Sequence, residues 1–369
     1  MAIDHPSNAL PPGYRLGSYE ILRVLGSGGF GVTYQARRAG VAGDMVAIKE
    51  LYPNGLVRRA DDLSVVPLPG THAAHLTDSV EMFLREARLI CNLDHPNIVR
   101  GVEAFHRNST GYLVMRYVTG RNLSDSLRDP AGFRPDRHSL PALLVPLLDA
   151  LATLHRNDLL HCDIKPDNIF LGVGFVPILI DLGSARRHDL GADTDEVATY
   201  SSYFSAIEQV TDRFGPVGPW TDIYQLSAVF YRCMAGGKLP DARDRAVAAV
   251  DPFIPLSEIP EVLGAYPRPL IDAIDCGLQL RPQQRPRSIG EWQTMMASVL
   301  PPLAPVKEPT PQPMRSPAVP AMPPSALPDS ESVSFTSDSP ANPPDRLLWL
   351  AGGLLLTILL IVFCIVTKA

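Results

Sequence analysis

The stretch His161–Leu171, with the sequence HCDIKPDNIFL, constrains this 369-residue chain more than any other segment. Phosphoryl transfer requires mainly the positioning of the reactants and the neutralisation of charge. Asp163 is suited to accept the proton of an attacking hydroxyl, Lys165 to stabilise a phosphoryl group, and Asn168 to hold a Mg²⁺ ion. Taken singly, each acidic residue here is equally well explained as part of a solvated turn.

A second acidic position strengthens this interpretation. Asp181 follows the apolar strand Pro177–Ile180, thirteen residues after Asn168, and Gly183 comes shortly after it. A carboxylate at the end of a strand, beside a flexible glycine, is a suitable ligand for a Mg²⁺ ion that bridges nucleotide phosphates. The order and spacing of these residues indicate one phosphoryl-transfer site rather than unrelated turns.

The sequence Gly26–Val32, GSGGFGV, follows the apolar segment Tyr19–Leu25. A G-x-G-x-x-G pattern alone is weak evidence, because dinucleotide-binding folds share it, but those folds continue into a helix. Here Val32–Arg37 is rich in β-branched and aromatic residues, which favour a strand. The pattern predicts a hairpin lid over phosphates, where glycines let backbone N–H groups approach closely. The nucleotide contacts predicted in this lid are Gly26, Ser27, Gly28, Gly29, Phe30, Gly31 and Val32.

Val46–Lys49 is a short apolar strand that ends in a lysine. We expect Lys49 to face the lid and to contact the α- and β-phosphates as a point charge. A buried lysine needs a partner. Glu86 is the candidate, because it lies beside the apolar face of a helix predicted over Phe83–Ile90, although alone it would be a solvated helix charge. The intervening residues Tyr52–Ser79 are interpreted as an insertion.

The apolar strand Tyr112–Val118 runs into Thr119 and Gly120 and is typical of a wall and hinge for an adenine ring. Val118 is expected to contact the nucleotide at this hinge, with Ala47 and Leu171 as further contacts.

These motifs together resemble the protein kinase family, and within it the bacterial eukaryotic-like (Hanks-type) serine/threonine kinases, from about Tyr19 to Met296. The resemblance implies an α+β, bilobal kinase fold with a β-rich N-lobe and a helical C-lobe. It implies ATP and Mg²⁺ as cofactors and serine or threonine hydroxyls of cytoplasmic proteins, including the enzyme itself, as phosphate acceptors. The roles that it implies are catalytic for Asp163 and Lys165, and metal-ligating for Asn168 and Asp181.

The resemblance extends to residues that hold the catalytic parts in place. Glu208 is expected to pair with Arg285, and Asp222 to brace the catalytic loop from a buried helix. These residues favour a protein kinase over a metabolite kinase with the same fold.

The chain also departs from the family pattern. Cys162 stands where the family usually has an arginine that receives a phosphate from the activation loop, so we expect that this switch is not needed. A buried, inert thiol is the favoured interpretation of Cys162, and a redox sensor is the alternative. Leu182 replaces a common phenylalanine, and Thr199–Ala206 lacks the usual Gly-Thr-x-Gly-Tyr-x-Pro pattern of the substrate platform. The candidate autophosphorylation sites are Thr194, Thr199, Ser201 and Ser202.

A membrane-anchored pseudokinase scaffold is the alternative function. Such a protein would bind partners through its altered activation segment and its Pro-rich linker. A degraded enzyme usually loses the phosphate-binding lysine, the catalytic aspartate or the metal-binding aspartate first, and this chain keeps Lys49, Asp163 and Asp181. An active kinase is therefore the favoured prediction.

The composition changes after the kinase-like region, residues 19–300. Residues 301–346 are rich in Pro, Ser and Ala and lack the apolar residues of a core, which indicates an extended linker or, alternatively, an interaction tract. Leu347–Val366 carries no charge, and about 20 such residues span the roughly 30 Å hydrocarbon core of a bilayer. We therefore predict one C-terminal transmembrane helix, followed by a short tail at residues 367–369.

The N-terminal extension, residues 1–18, has neither a basic start nor an apolar run, so it is not a secretory signal. We expect a single-pass protein of the cell (inner) membrane with its kinase domain in the cytoplasm. Tethering raises the effective concentration of other copies, so self-association is a further expectation. A net charge of −6 gives no basic footprint for nucleic acid, and the 5 scattered cysteines are typical of reduced thiols.

Overall fold

The strands of the N-terminal half alternate buried and more exposed side chains, as expected for a sheet with one face on a core. The computed structural model describes residues 8–41, 43–71, 73–129, 135–181, 186–187 and 203–300. Within them, an antiparallel sheet has the strand order β1-β2-β3-β4-β8-β7. Its strands are β1 (Arg15–Leu16), β2 (Tyr19–Ser27), β3 (Gly31–Arg38), β4 (Met45–Leu51), β7 (Gly101–Arg107) and β8 (Thr110–Arg116).

Helix α1, Ala73–Cys91, packs against the sheet through one apolar stripe. The sequence pattern predicts this helix only over Phe83–Ile90 and assigns residues 73–79 to the insertion. That boundary is wrong, because Leu76 and Val80 continue the buried stripe toward the N-terminus at helical spacing. The remaining insertion contains a separate hairpin of β5 (Val57–Arg59) and β6 (Val65–Pro67).

A buried carboxylate attaches this hairpin to the sheet. Glu50 of β4 is fully buried and accepts hydrogen bonds from the hydroxyls of Tyr34 and Tyr112, both at 2.6 Å. It also accepts one from Arg59 Nη2 of β5 at 2.7 Å. Burial and the neighbouring Glu50 raise the pKa of both phenols, so the two tyrosines remain donors. The carboxylate therefore has its partners, as a buried charge requires.

The C-terminal half is mainly helical. Its helices are α2 (Leu123–Arg128), α3 (Leu140–Arg156), α4 (Pro219–Ala235), α5 (Ala242–Val247), α6 (Pro260–Ala265), α7 (Arg268–Gly277) and α8 (Ile289–Met295). Its short strands are β9 (Arg121–Asn122), β10 (Leu159–Leu160), β11 (Ile169–Leu171), β12 (Pro177–Leu179) and β13 (Arg186–Arg187). Helix α4 is buried on all sides from Thr221 to Tyr231, so it forms the centre of this half.

The predicted pair of Glu208 and Arg285 is confirmed. Arg285 donates from Nη1 and Nη2 to the two carboxylate oxygens of Glu208, at 2.7 and 3.1 Å. Both side chains are fully buried. Glu208 also accepts a hydrogen bond from the hydroxyl of Thr221 at 2.7 Å, so the pair attaches residues 207–209 to the start of α4. Such a paired charge is tolerated in the core, whereas a lone one is not.

Among the described residues, no helix has the length and apolar composition needed to cross a bilayer. The predicted linker, residues 301–346, and the predicted span Leu347–Val366 lie outside those residues.

We expect the substitution Glu208→Ala to lower the free energy of unfolding by about 3–5 kcal/mol, because it leaves the Arg285 guanidinium buried without its carboxylate. Urea denaturation followed by tryptophan fluorescence measures this change. The control Glu20→Ala removes the partner of Arg37 in an exposed pair and should change stability little. Equal losses in the two variants would contradict the interpretation.

Candidate active site

The structure brings together the polar residues predicted in the catalytic loop. Lys165 Nζ lies 3.0 and 2.8 Å from the two carboxylate oxygens of Asp163. Asn168 Nδ2 donates to Asp163 Oδ2 at 2.9 Å and to the Asp163 backbone carbonyl at 2.8 Å. Asp163 itself is only 5 % exposed. Its carboxylate is therefore held in one orientation, as a general base for a hydroxyl requires.

Asp222 of α4 braces the backbone of this loop, as the sequence predicts. Its fully buried carboxylate accepts the N–H groups of His161 and Cys162 at 2.9 and 2.8 Å and bonds to His155 Nε2 at 2.8 Å. Burial alone would raise the pKa of Asp222. The hydrogen bond and charge of His155, the charge of His161 and the N–H group of Cys162 outweigh burial and hold this pKa below its ordinary value.

Two glutamines that the sequence pattern does not single out complete this support. Gln225 of α4 accepts the N–H of Ile164 at 2.9 Å and donates to the carbonyl of Cys162 at 3.0 Å. Gln209 donates to the same carbonyl at 2.7 Å and accepts from Gln225 at 2.9 Å. The backbone on both sides of Asp163 is therefore held. The available signal was a glutamine inside an apolar, buried helix, because a buried amide needs partners.

Cys162 has the left-handed backbone conformation that favours glycine, with a φ of 60°. Its N–H group is bonded to Asp222, and its carbonyl to both glutamines. These contacts over-determine the conformation, which is how a strained backbone persists at a site. They also fix the loop without an arginine at this position. It stays a prediction that the protein does not need a phosphate on its activation loop.

Asp181 follows β12 and forms an ion pair with Lys49 of β4. Removal of Asp181 from bulk water would raise its pKa, but the charge and hydrogen bond of Lys49 lower that pKa below its ordinary value. The carboxylate is therefore ionised at neutral pH. The predicted partner of Lys49, Glu86, lies half-buried on α1, and its pairing with Lys49 stays a prediction.

The two predicted metal ligands flank two paired strands: Asn168 comes directly before β11, and Asp181 follows β12. The N–H of Ile180 donates to the carbonyl of Asn168 at 3.0 Å, which places Asn168 and Asp181 close to each other. Since Asn168 Nδ2 is bonded to Asp163, its amide oxygen is the atom left for a cation. An amide oxygen and an ionised carboxylate are hard ligands that suit Mg²⁺. The residues present therefore fit this metal.

The glycine-rich residues lie where β2 turns into β3, at the end of the sheet. The N–H of Gly28 donates to the carbonyl of Gly31 at 2.9 Å and closes the turn. A Cβ atom at Gly31 would lie 2.3 Å from the carbonyl oxygen of Glu50, so only glycine fits there. The predicted strand, glycine turn and strand are confirmed, with Thr33 of β3 paired to Lys49 of β4.

The further residues predicted to contact the nucleotide come from both halves. Ala47 and Lys49 are two residues apart on β4 and so share one face of the sheet. Val118 follows β8, and Leu171 ends β11. A Cβ atom at Gly120 would lie 2.3 Å from the carbonyl oxygen of Leu171, so the hinge and β11 are in direct contact.

The activation segment is described only in part. Phe204, Ser205 and Ala206 are buried, and the N–H of Ala206 donates to Gln209 at 2.9 Å. The predictions for Leu182 and Gly183 and for the candidate autophosphorylation sites fall outside the described residues.

The predicted general base Asp163 is held by Lys165 and Asn168, and the Lys49–Asp181 ion pair joins the β-sheet to the helical half, an arrangement that fits a phosphoryl-transfer fold of the kinase class. Residues 19–295 match the family model described as "Protein kinase domain". The chain belongs to the protein kinase family, and the predicted β-rich N-lobe and helical C-lobe are confirmed.

Bacterial serine/threonine kinases are among the similar proteins. Serine/threonine-protein kinase pkn2 of Myxococcus xanthus is 29 % identical over 296 residues, covering 76 % of this chain and 32 % of pkn2. A probable serine/threonine-protein kinase of Clostridium perfringens is 28 % identical over 244 residues, covering 66 % of this chain and 32 % of that protein. The chain thus spans about a third of the length of these two relatives.

Solved structures show the same fold. "PpkA-294 apo form" is 33 % identical with a TM-score of 0.64 and covers 79 % of this chain and 100 % of its own. The kinase domain of Mycobacterium tuberculosis PknI is 23 % identical with a TM-score of 0.57, covering 78 % of this chain and 98 % of its own. At that identity the second likeness concerns the fold alone.

We expect Asp222→Asn to lower the free energy of unfolding, by about 1–3 kcal/mol at neutral pH, because an amide cannot replace the charged acceptor. The native pKa of Asp222 lies below the ordinary 3.8, so the unfolded chain binds this proton first as the pH falls. The stabilisation by Asp222 is therefore complete above about pH 5 and declines below about pH 4. Urea denaturation of the wild type and of Asp222→Asn across this range should show that their difference in the free energy of unfolding becomes smaller as the pH falls. A constant difference would contradict the assignment.

Proposed function

We propose that this chain is an active serine/threonine protein kinase, which transfers the γ-phosphate of ATP to hydroxyl groups of proteins. The observation that carries the proposal is the held geometry of Asp163. Lys165 and Asn168 fix its carboxylate, and α4 fixes the backbone on both sides. A scaffold would have no need of this arrangement, whereas a general base requires it.

The residues of the cleft have distinct parts in this reaction. Asp163 accepts the proton of the substrate hydroxyl as the oxygen attacks the γ-phosphorus and the bond to the β-phosphate oxygen breaks. Lys165, within 3.0 Å of Asp163, is near enough to neutralise charge on the group in transfer. Asn168 and Asp181 would hold Mg²⁺, which when bound neutralises charge on the nucleotide phosphates.

Lys49 exchanges partners when the nucleotide binds. Its ammonium group is paired with Asp181 in the described structure, and the side chain is 12 % exposed. Bound ATP would place its phosphates beside Lys49, and Asp181 would then hold the cation. Each charge keeps a partner of opposite sign, which avoids the cost of an unpaired buried charge.

The decisive experiment measures phosphate transfer from γ-labelled ATP with Mg²⁺ to the chain itself and to a generic basic protein. We expect Asp163→Ala and Asp181→Ala each to lower kcat by at least about 100-fold, since one removes the base and the other a metal ligand. The control Asp94→Ala removes a carboxylate that is 81 % exposed and should keep full activity. If the wild type binds nucleotide but transfers no phosphate, the chain is a scaffold.

The proposal includes a membrane tether at Leu347–Val366, with the kinase domain in the cytoplasm and substrates among proteins near the membrane. Its support is in the sequence, in which this segment lacks charge and matches the thickness of the hydrocarbon core. The linker at residues 301–346 would let copies on one membrane reach each other, which favours autophosphorylation in trans.

The tether is tested by charge at the centre of the segment. Leu356→Arg combined with Leu359→Arg costs about 2.5–3.5 kcal/mol per residue for insertion, so this variant should leave the membrane fraction. The control, Ser332→Arg with Ser334→Arg, adds the same charge to the linker and should stay membrane-bound. Fractionation and vesicle flotation after expression in bacteria measure the distribution. A wild-type chain in the soluble fraction would refute the tether.

A further inference from the structure

The start of the insertion is hydrogen bonded along the glycine-rich loop. The N–H of Tyr52 donates to the carbonyl of Phe30, and the N–H of Asn54 donates to the carbonyl of Gly29, both at 2.8 Å. Asn54 Nδ2 donates to the carbonyl of Gly28 at 2.6 Å. The segment Tyr52–Asn54 therefore engages successive carbonyl groups of the loop.

These contacts decide which way the loop presents its N–H groups. A trans peptide bond directs the carbonyl of one residue and the N–H of the next to opposite sides. With the carbonyls of Gly28, Gly29 and Phe30 turned toward Tyr52–Asn54, the N–H groups of residues 29–31 are turned away from it. A row of backbone N–H groups on one side of a turn is a binding surface for phosphate.

The segment is itself attached to the buried network of the sheet. Arg59, bonded to the fully buried Glu50, donates from Nε to the carbonyl of Asn8 at 2.7 Å. Asn8 Nδ2 in turn donates to Asn54 Oδ1 at 3.1 Å, which orients the Asn54 amide with its Nδ2 toward Gly28. A continuous series of contacts thus runs from the core of the sheet to the tip of the loop.

The ring of Tyr52 supports the same attachment. Tyr52 is 3 % exposed, and the Arg59 guanidinium lies over its ring, 5.2 Å from the ring centroid. The segment is therefore a fixed part of the sheet, against which a glycine-rich turn can be held. Glycine loses more conformational freedom on ordering than any other residue, so a loop ordered in advance binds its ligand at a lower entropic cost.

We propose that Tyr52–Asn54 is a clamp that holds the glycine-rich loop in its phosphate-binding shape before the nucleotide arrives, with Asn54 as a positioning residue. The clamp acts on the nucleotide through the loop, and the ligand concerned is the triphosphate or diphosphate chain of a nucleotide. The inference rests on the proposed function as an ATP-dependent kinase.

The test is made on the full-length protein with the variants Asn54→Ala and Asn54→Asp. An aspartate at position 54 keeps the size of the side chain and the oxygen that accepts from Asn8. It lacks the Nδ2 group that donates to Gly28. We expect both variants to weaken the binding of Mg·ADP, and to raise the KM for ATP, by about three- to tenfold, the effect of one hydrogen bond, with kcat little changed. Asn8→Ala should also weaken Mg·ADP binding and raise the KM for ATP, but by a smaller factor.

Hydrogen–deuterium exchange gives a readout that a purely structural role would not move. Without nucleotide, peptides covering residues 26–31 should exchange faster in both Asn54 variants than in the wild type, while the melting temperature stays the same. The control Asn157→Ala removes an equivalent bond from an exposed amide to the carbonyl of Thr153 and should change neither exchange nor affinity.

Affinity and loop exchange that match the wild type in both Asn54 variants would overturn the clamp. Mg·ADP binding and hydrogen–deuterium exchange are measured without phosphate transfer. The clamp can therefore be tested even if the chain has no kinase activity, and the two proposals can fail separately.

Discussion

The position of the Asp163 carboxylate depends on the carboxylate of Asp222. Asp222 sits on α4, a helix enclosed on all sides, and holds the N–H groups that precede Asp163 in the chain. Gln225, one turn further along α4, holds the N–H group that follows it. The geometry of the site therefore originates in the most enclosed helix of the C-lobe, where backbone movement is most costly.

The two halves of the cleft are held by different kinds of interaction. In the C-lobe, side-chain carboxylates and amides fix the backbone of the catalytic loop, so the chemistry is placed on a rigid base. In the N-lobe, the backbone and side chain of Asn54 reach the carbonyls of a glycine turn, near the surface. The ion pair of Lys49 and Asp181 crosses between the two. Under the proposed function, a rigid catalytic loop and an ion pair that nucleotide contacts can replace would suit an enzyme that admits and releases a nucleotide on each turnover.

Much of the fold follows from local patterns in the sequence. The β-branched run after Gly31 excludes a helix there, and the strand that carries Lys49 and the buried brace Asp222 are likewise predictable. The partner of Lys49 is not predictable in the same way. Its ion-pair partner Asp181 is 132 residues away, and finding it requires knowing how the two lobes meet.

The partners of Gln209, Gln225 and Asn54 cannot be read from the sequence, even where a glutamine in a buried helix shows that partners are needed. Each of these side chains acts on a backbone carbonyl or N–H group, which every residue possesses, so no complementary residue type marks the partner. Hydrophobic periodicity, the main signal for secondary structure, carries no information about such bonds.

Strand β4 carries charges of opposite sign on its two faces, at neighbouring positions. Lys49 points toward Asp181, and Glu50 into the buried tyrosine–arginine network. Because side chains alternate along a strand, deleting a single residue within β4 before Lys49 would move each of the two side chains to the opposite face of the sheet. The Glu50 carboxylate would then take the place of Lys49, and the ammonium group of Lys49 would lie on the buried face at the position of Ile48. Length changes in the turn at residues 39–44 leave this alternation intact. Natural variation in chain length should therefore accumulate in that turn and be excluded from the strand that follows it.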